Sequence, residues 1–462
     1  MKVSIIGTGY VGLVTGVCLA EKGHEVVCVD IDQAKVDRIM RGEPPIHEPG
    51  LTELLQRNLG RRFSATTDLA RSVIESDLTM IAVGTPFDGL RIDLSYVTQA
   101  ARQIGQALAD KSGYHLVVVK STVVPGTTDD VVAAVLAEAS GKTIGAEFGV
   151  GANPEFLSEG TAVVDFMQPD RIVLGGVDDR SRQTLGRLYE AFASEIPRIA
   201  TTNKAAEMIK YASNSLLAAL ISFSNEIGNL CEALGGVDVV DVMRGVHLSQ
   251  YLTPRLADGS RATAPITAFL TAGCGFGGSC LPKDVSALAR HAEEHGEPMR
   301  LLSAALEINR RQPQRLIELL KRHFPSLCGV RVAVLGLAFK PDTDDIRESP
   351  ALTILRHLAV EEAVIQAYDP IANAATQQAL GALPVQYCGS LVEALEGADA
   401  VLVVTRWQEF EQLPEKLSGL DNPPVVVDGR RMISPTSVER YEGIGGGRNV
   451  IEPQHTQEVA NA

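Results

Sequence analysis

Aromatic residues are scarce in this 462-residue chain, at 5%, and tryptophan occurs once. That scarcity, beside plentiful Ala, Gly and Val, argues for α/β packing and against an aromatic-rich β-sandwich. Positive charge is also in deficit: 42 Lys and Arg face 57 Asp and Glu, a formal charge of −15. An acidic surface disfavours nucleic acid and anionic membranes as partners, although a few placed cations suffice to hold a small phosphorylated ligand. The seven cysteines contain no CxxC pair. An odd, scattered set does not build a disulfide framework, so a reduced cytoplasmic setting is expected and no metal is. No apolar run approaches the ~20 residues that span a bilayer. With a first strand expected from Lys2, no signal peptide is expected. A chain of this length should hold roughly two to four domains.

The N-terminus reads as a strand from Val3 to Ile6, a glycine turn, a helix reaching Lys22, and a second strand from Glu25 to Val29 that ends in Asp30. Further apolar runs at 78–83 and 116–119 complete the plan of a doubly wound parallel sheet. The last third repeats it, with strands expected at 332–335, 363–368, 400–405 and 425–427. Two Rossmann-like domains, 1–200 and 321–462, therefore enclose a helical segment, 201–320. In that segment one long helix is expected from Lys204 to Ala233, ended by Gly235-Gly236, with Ile209, Ala212, Leu216, Ala219 and Phe223 at helical spacing. A long helix joining two α/β domains is a common place for dimer contacts.

Gly7-x-Gly9-x-x-Gly12 is a weak signal alone. Here it follows a strand, opens a helix and precedes Asp30, which makes it a dinucleotide fingerprint. Gly7 allows the tight turn, and Gly9 lets a pyrophosphate approach the helix N-terminus. Asp30 suits a ribose diol and repels a 2′-phosphate, so NAD is expected rather than NADP. The second glycine turn, at Gly336, lacks the rest of the pattern and predicts no second dinucleotide site. Lys340, Arg347, Arg430 and Arg431 instead fall on loops leaving the carboxyl ends of strands, where open α/β sheets bind ligands. They suit a pyrophosphate-bearing substrate or a solvated rim equally well.

Lys210 and Asn214 lie one helical turn apart and could together hold an oxygen that gains negative charge. A snorkelling lysine beside a polar helix position is the plainer alternative. Cys280 stands between the glycine-rich segment 275–278 and a helix begun by Pro282, where a thiol is a better nucleophile. Asp284 falls in the first turn after it. Glu155 and Glu159 follow the last strands of the first domain, as water activators or as ordinary helix-start carboxylates.

Assembled, these segments resemble the UDP-glucose/GDP-mannose dehydrogenase family. The matching motifs are GTGYVG from Gly7, VGTP from Val83, KSTV from Lys120, NPEFL from Asn153, AEMIKYASN ending at Asn214, GFGGSCLPKD ending at Asp284, and FKPDTDDIRESP from Phe339. The resemblance implies a homodimeric, NAD-dependent enzyme that oxidises the C6 alcohol of a nucleotide sugar to the acid in two steps. Cys280 would carry a thiohemiacetal and then a thioester. It assigns Lys210 and Asn214 to the oxyanion, Asp284 with Thr122 to the alcohol proton, and Glu155, with Glu159 nearby, to hydrolysis. Cofactor contacts carried over are Gly7, Gly9, Tyr10, Val11, Gly12, Asp30, Lys35, Thr85, Thr122, Glu159, Lys283 and Arg347. Substrate contacts are Glu155, Phe156, Leu157, Lys210, Asn214, Phe269, Gly273, Gly277, Lys340 and Arg430.

One departure concerns recognition. Many relatives carry an Arg eleven residues before the GFGG segment, where this chain has Ala264. Segment 248–268 is longer than usual, and Arg255 and Arg261 are candidate replacements. UDP-glucose is the favoured substrate, or another nucleotide glucose such as the thymidine form; GDP-mannose is the runner-up. Two rivals remain: a two-electron β-hydroxyacid dehydrogenase, which needs no second Rossmann-like domain and no cysteine, and a catalytically silent NAD-binding regulator, which the retained nucleophile, acid/base and oxyanion pair disfavour. The tail after about Gly443 is expected to be disordered.

Overall fold

The computed structural model describes residues 1–89 and 91–446. Two six-stranded sheets, both wholly parallel, form the chain's α/β frame. The first contains β1 (Lys2–Ile6), β2 (Glu25–Val29), β3 (Phe63–Thr66), β4 (Leu78–Ile81), β5 (His115–Val119) and β6 (Phe148–Ala152), in the order β3-β2-β1-β4-β5-β6. A two-stranded ribbon, β7 (Ile172–Gly175) with β8 (Arg198–Thr201), follows it. The second large sheet contains β9 (Arg331–Leu335), β10 (Val364–Tyr368), β11 (Val385–Tyr387), β12 (Ala400–Val403), β13 (Val425–Asp428) and β14 (Tyr441–Gly443). Its order, β11-β10-β9-β12-β13-β14, reproduces that of the first. In each, the order reverses between the first and fourth strands, and the carboxyl ends there form a crevice.

The continuous apolar runs have a direct cause. Residues alternate between faces along a strand, and here both faces are covered. Val3 and Ile5 join one core and Ile6 the opposite one. Val332 and Val334 likewise face away from Ala333 and Leu335. The observed strands at 78–81 and 400–403 are shorter than their apolar runs, because the chain leaves the sheet at its carboxyl edge to build loops.

Between the sheets in sequence lies a helical region containing one 32-residue helix, Asn203–Leu234. Gly235 and Gly236 terminate it at φ +70° and +67°, a conformation that only glycine adopts cheaply. The apolar positions whose spacing marked the helix are partly outward. Leu216 and Phe223 are 52% and 46% exposed, and Ala212 is exposed as well. The buried side is largely polar instead, carrying Glu207, Lys210, Asn214, Ser222 and Asn225 beside Tyr211. Periodicity located the helix but not which side of it packs.

The tail needs a similar correction. Tyr441–Gly443 is a strand, Ile444 is buried, and the carbonyl of Gly445 accepts from the amide of Val239. The rest of the expected disordered tail lies outside the described residues. Among the described residues, no helix is long and apolar enough to cross a membrane.

By contact the chain divides into two compact units. One comprises Met1–Ser215 with Lys283–Met299, and the other Leu216–Pro282 with the chain from Arg300 onward.

Candidate active site

In the first unit, β1 delivers the chain to Gly7 at φ +104°, and Gly9 caps the helix Tyr10–Glu21 without a side-chain hydrogen bond. The three fingerprint glycines answer to different constraints. A Cβ on Gly7 would lie 2.6 Å from the Ala82 carbonyl oxygen, and one on Gly12 would lie 2.0 Å from that of Gly7. A Cβ on Gly9 would meet nothing within 4 Å. The protein itself therefore demands glycine at 7 and 12. At Gly9 the open space sits over uncapped amide N–H groups, a cradle suited to a pyrophosphate.

Asp30 directly follows β2 and accepts from the Thr8 amide at 3.0 Å and the Thr8 hydroxyl at 2.6 Å. Burial pushes its pKa up. The hydrogen bonds from Thr8 and Asp32, with Lys35 nearby, outweigh that and hold the carboxyl below its usual range. It is thus an acceptor, as a ribose diol requires. Lys35 is exposed and Val11 half-buried. The Tyr10 hydroxyl donates to the buried carboxylate of Glu48, and the Gly160 amide donates to both, at 3.0 and 2.7 Å. Burial first, and Glu48 second, push the Tyr10 phenol far above its ordinary pKa. Thr85 is buried and its hydroxyl donates to the Thr122 carbonyl at 2.9 Å. That bond ties the loop after β4 to the one after β5.

The central helix sets Lys210 and Asn214 against two buried carboxylates of this unit. Lys210 Nζ meets Glu155 Oε1 at 2.8 Å, with both side chains at most 6% exposed. The Leu157 amide donates to Glu155 Oε2 at 2.6 Å. Burial raises the Glu155 pKa, but Lys210, Leu157 N–H and Lys120 together bring it below the usual carboxylate value. One turn further along, the Asn214 amide donates to Asp284 Oδ2 at 2.7 Å, and Lys283 Nζ meets Asp284 Oδ1 at 2.6 Å. Thr122 and Lys210 line one small cleft with Ser121, Pro154 and Glu207. Phe156 is half-buried under the Arg171 guanidinium, 3.7 Å above its ring centroid, and Leu157 packs against the core. Glu159 is half-buried on the following loop.

Three residues here escaped the sequence reading. Lys120 is buried, donates to Asn153 Oδ1 at 2.9 Å, and is pushed down by burial to about 8. Glu48 joins Tyr10 to the loop at Gly160. Glu207 accepts from the Gly126 amide at 2.6 Å and the Thr128 amide at 2.8 Å, which clamps the segment after Thr122 onto the helix bearing Lys210. Burial, only partly offset by those amides, raises Glu207 to about 7. Two of them left a trace in sequence: Lys120 opens the KSTV motif, and Glu207 precedes Lys210 by three residues and so shares its helix face.

In the second unit, Phe269, Gly273, Gly277, Lys340 and Arg430 line a single cavity of about 280 Å³ with Phe276, Phe339 and Arg406. Arg347 forms a two-pronged ion pair with Asp345, and Arg431 pairs with Asp238 away from the cavity lining. Neither Arg255 nor Arg261 lines it; Arg261 donates to the Leu248 carbonyl at 3.2 Å. Asp369, the counterpart of Asp30 in the second sheet, is 1% exposed. Its Oδ2 accepts from Leu337 N, Ala338 N and Trp407 Nε1 at 2.7–3.0 Å, which leaves no acceptor for a ribose. Cys280 is exposed and directly precedes the helix Leu281–Glu294. Pro282 is that helix's second residue rather than its first. The other exposed cysteine is Cys328, and the remaining five are buried.

Family models match the chain in three consecutive parts. They are described as the UDP-glucose/GDP-mannose dehydrogenase family's NAD binding domain, residues 1–193, central domain, residues 204–311, and UDP binding domain, residues 333–435. The UDP-glucose 6-dehydrogenase AglM of Haloferax volcanii is 44% identical across 96% of this chain and 100% of its own length. The GDP-mannose 6-dehydrogenase of Pseudomonas putida is 38% identical across 89% of this chain and 93% of its own. A solved UDP-glucose dehydrogenase from Pyrobaculum islandicum superposes with a TM-score of 0.86 at 40% identity, covering 96% of this chain and 97% of that one.

The glycines make a paired prediction. Gly12→Ala should cost about 3 kcal/mol or more, because its Cβ would meet a backbone carbonyl. Gly9→Ala should melt like the wild type yet bind NAD at least about tenfold more weakly. Calorimetry of each variant with and without NAD tests both, and equal cofactor affinity in Gly9→Ala would remove the cradle assignment.

Glu207 makes another. Its folded pKa lies above the unfolded one, so it contributes stability below about pH 4.5 that is lost as the pH rises through about 7. Between pH 5 and 8 the wild type should therefore lose more of its unfolding free energy than Glu207→Gln does. Equal slopes in the two proteins would show that Glu207 does not titrate in this window.

Proposed function

The chain belongs to the UDP-glucose/GDP-mannose dehydrogenase family, and from that premise we propose that it oxidises UDP-glucose to UDP-glucuronate with two molecules of NAD⁺. The observation that carries this reading is the helix face bearing Lys210 and Asn214, each bonded to a buried carboxylate. Three functional domains, near 1–200, 201–320 and 321–462, suit it. NAD⁺, held through the Gly9 cradle, Asp30, Thr85 and Thr122, supplies the hydride acceptor for each oxidation.

The chain's own residues divide the remaining work. Asp284, with Thr122, takes the proton of the C6 alcohol. Cys280 adds to the resulting aldehyde as a thiohemiacetal, and the second oxidation leaves a thioester. Lys210 and Asn214 donate to the oxygen that carries negative charge in these steps. Glu155, ionised beside Lys210, activates the water that releases the carboxylate. The thioester keeps the acyl group bound while one cofactor leaves and another enters.

UDP-glucose is preferred to GDP-mannose because the relative named for UDP-glucose is the more similar, at 44% against 38%, and covers more of the chain. The matching description of residues 333–435 as UDP binding agrees. The second parallel sheet also disfavours the two-electron rival. A cytoplasmic setting suits seven cysteines that are all free.

A homodimer is part of the proposal. Met208, Leu216, Phe223, Leu230 and Leu234 expose 44–67% of their surface along one helix, an apolar stripe suited to a second copy.

With a panel of nucleotide sugars including GDP-mannose and thymidine-diphosphate glucose, UDP-glucose should be consumed fastest. Two NADH should form per sugar, and a ratio of one would sink the four-electron reading. Cys280→Ala should make no uronate, and full turnover in that variant would remove the covalent route. Sedimentation should give a dimer for the wild type and a monomer for Leu216→Glu/Phe223→Glu. A dimer unaffected by both changes would put the interface elsewhere.

A further inference from the structure

Among the described residues, three cations, Lys340, Arg406 and Arg430, and no carboxylate line the cavity of the second unit. An unbalanced positive lining of this kind selects an anion, and a diphosphate carries the matching charge. The three cations are not equivalent. Arg430 Nε donates to the Val404 carbonyl at 2.6 Å and its Nη1 to the Gly275 carbonyl at 2.9 Å. Its guanidinium is thereby fixed to two backbone loops, and much of its donor fork faces protein. Lys340 lies 5.6 Å above the centroid of its neighbour Phe339, on the loop after β9.

Arg406 is differently held. Its two neighbours are buried anchors: Thr405 donates to the Ala338 carbonyl at 2.6 Å, and Trp407 donates to Asp369 at 3.0 Å. Backbone position is therefore fixed while the side chain stays exposed at the cavity. A single bond from its Nη2 to the Arg430 carbonyl, at 2.6 Å, turns the guanidinium toward the lining and leaves its other edge for a ligand.

We propose that Arg406 is the substrate-binding residue that recognises the diphosphate of the nucleotide sugar, with Arg430 acting as the scaffold that shapes the cavity and positions it. This rests on the reading of the cavity as the nucleotide-sugar site. It goes beyond that reading by assigning the phosphate contact to a residue on the loop after β12.

The test compares wild type with Arg406→Gln, Arg406→Lys and Arg406→Glu. A charge-assisted bond to phosphate is worth enough that Arg406→Gln should raise KM for UDP-glucose and the inhibition constant of UDP by about tenfold. Arg406→Glu should raise both further, and Arg406→Lys should restore part of the loss. The value of kcat should change far less than KM, and KM for NAD should not move. Uridine, which lacks the diphosphate, should inhibit wild type and Arg406→Gln equally. Unchanged inhibition by UDP in Arg406→Gln would overturn the proposal, as would an equal loss for uridine, which would mean a general distortion of the cavity. Inorganic pyrophosphate binding, followed by calorimetry, separates the two levels. If the wild type ignores UDP-glucose but binds pyrophosphate through Arg406, the choice of substrate is wrong and the phosphate contact stands. If Arg406→Gln binds pyrophosphate as well as the wild type does, the contact itself is wrong.

Discussion

Two opposite charges taken out of water set the terms for the first unit. Lys210 and Glu155 sit 2.8 Å apart and almost fully buried. Removing each from water costs several kcal/mol, and only close pairing with further hydrogen bonds recovers it. The chain supplies those bonds from several directions. Leu157 N–H holds the far oxygen of Glu155, and Lys120, fixed to Asn153, adds a second positive charge. The loop after β6, the end of β5 and the central helix are consequently committed to one arrangement, because any looser one strands a buried ion. The pair's worth is less a matter of stability than of keeping both members charged in a dry place.

The two large sheets show how one plan is turned to different uses. Both place a glycine turn after the first strand and an aspartate after the second. Among the described residues, Asp30 receives donors from its own turn and from Asp32, whereas Asp369 is closed over by the chain's single tryptophan. The indole adds a third donor to Oδ2, while the Ile371 and Ala372 amides hold Oδ1. The carboxylate left partly open in one sheet is structural glue in the other, and the indole bond also steadies the loop on which Arg406 stands. The second crevice is then available to a different ligand, held by cations rather than by a helix N-terminus.

Features written locally in the chain were legible from sequence. The glycine fingerprint, the strands ending in Asp30 and Tyr368, and the glycine pair that stops the long helix each depend on neighbouring residues. The features that escaped depend on partners far apart. Nothing near Glu207 announces that it will cap a segment 79 residues upstream, nor near Trp407 that it will close over Asp369, 38 residues away. Arg430 and Arg431 are indistinguishable by sequence. Yet the first lines the cavity, while the second, at φ +52°, turns to Asp238. The packing side of the long helix was hidden for a related reason. Polar residues on its buried side pair with partners distant in sequence, and the 3.6-residue period reports only that two sides exist.

The paired carboxylates also bear on how a transient negative charge could be tolerated here. Three ammonium groups of the first unit, Lys120, Lys210 and Lys283, are set against Glu155 and Asp284. Burial brings Lys120 and Glu207 to about 8 and about 7, so the balance near neutrality turns on two groups poised to change charge. While Lys120 is protonated and Glu207 is neutral, the set carries a surplus positive charge. An oxygen gaining negative charge beside Lys210 and Asn214 would then meet donors already oriented by their carboxylate partners. The same burial that makes the ion pairs costly keeps bulk water from screening them. Orientation and low screening are what the proposed oxyanion requires, and both follow from packing the polar face of the central helix inward.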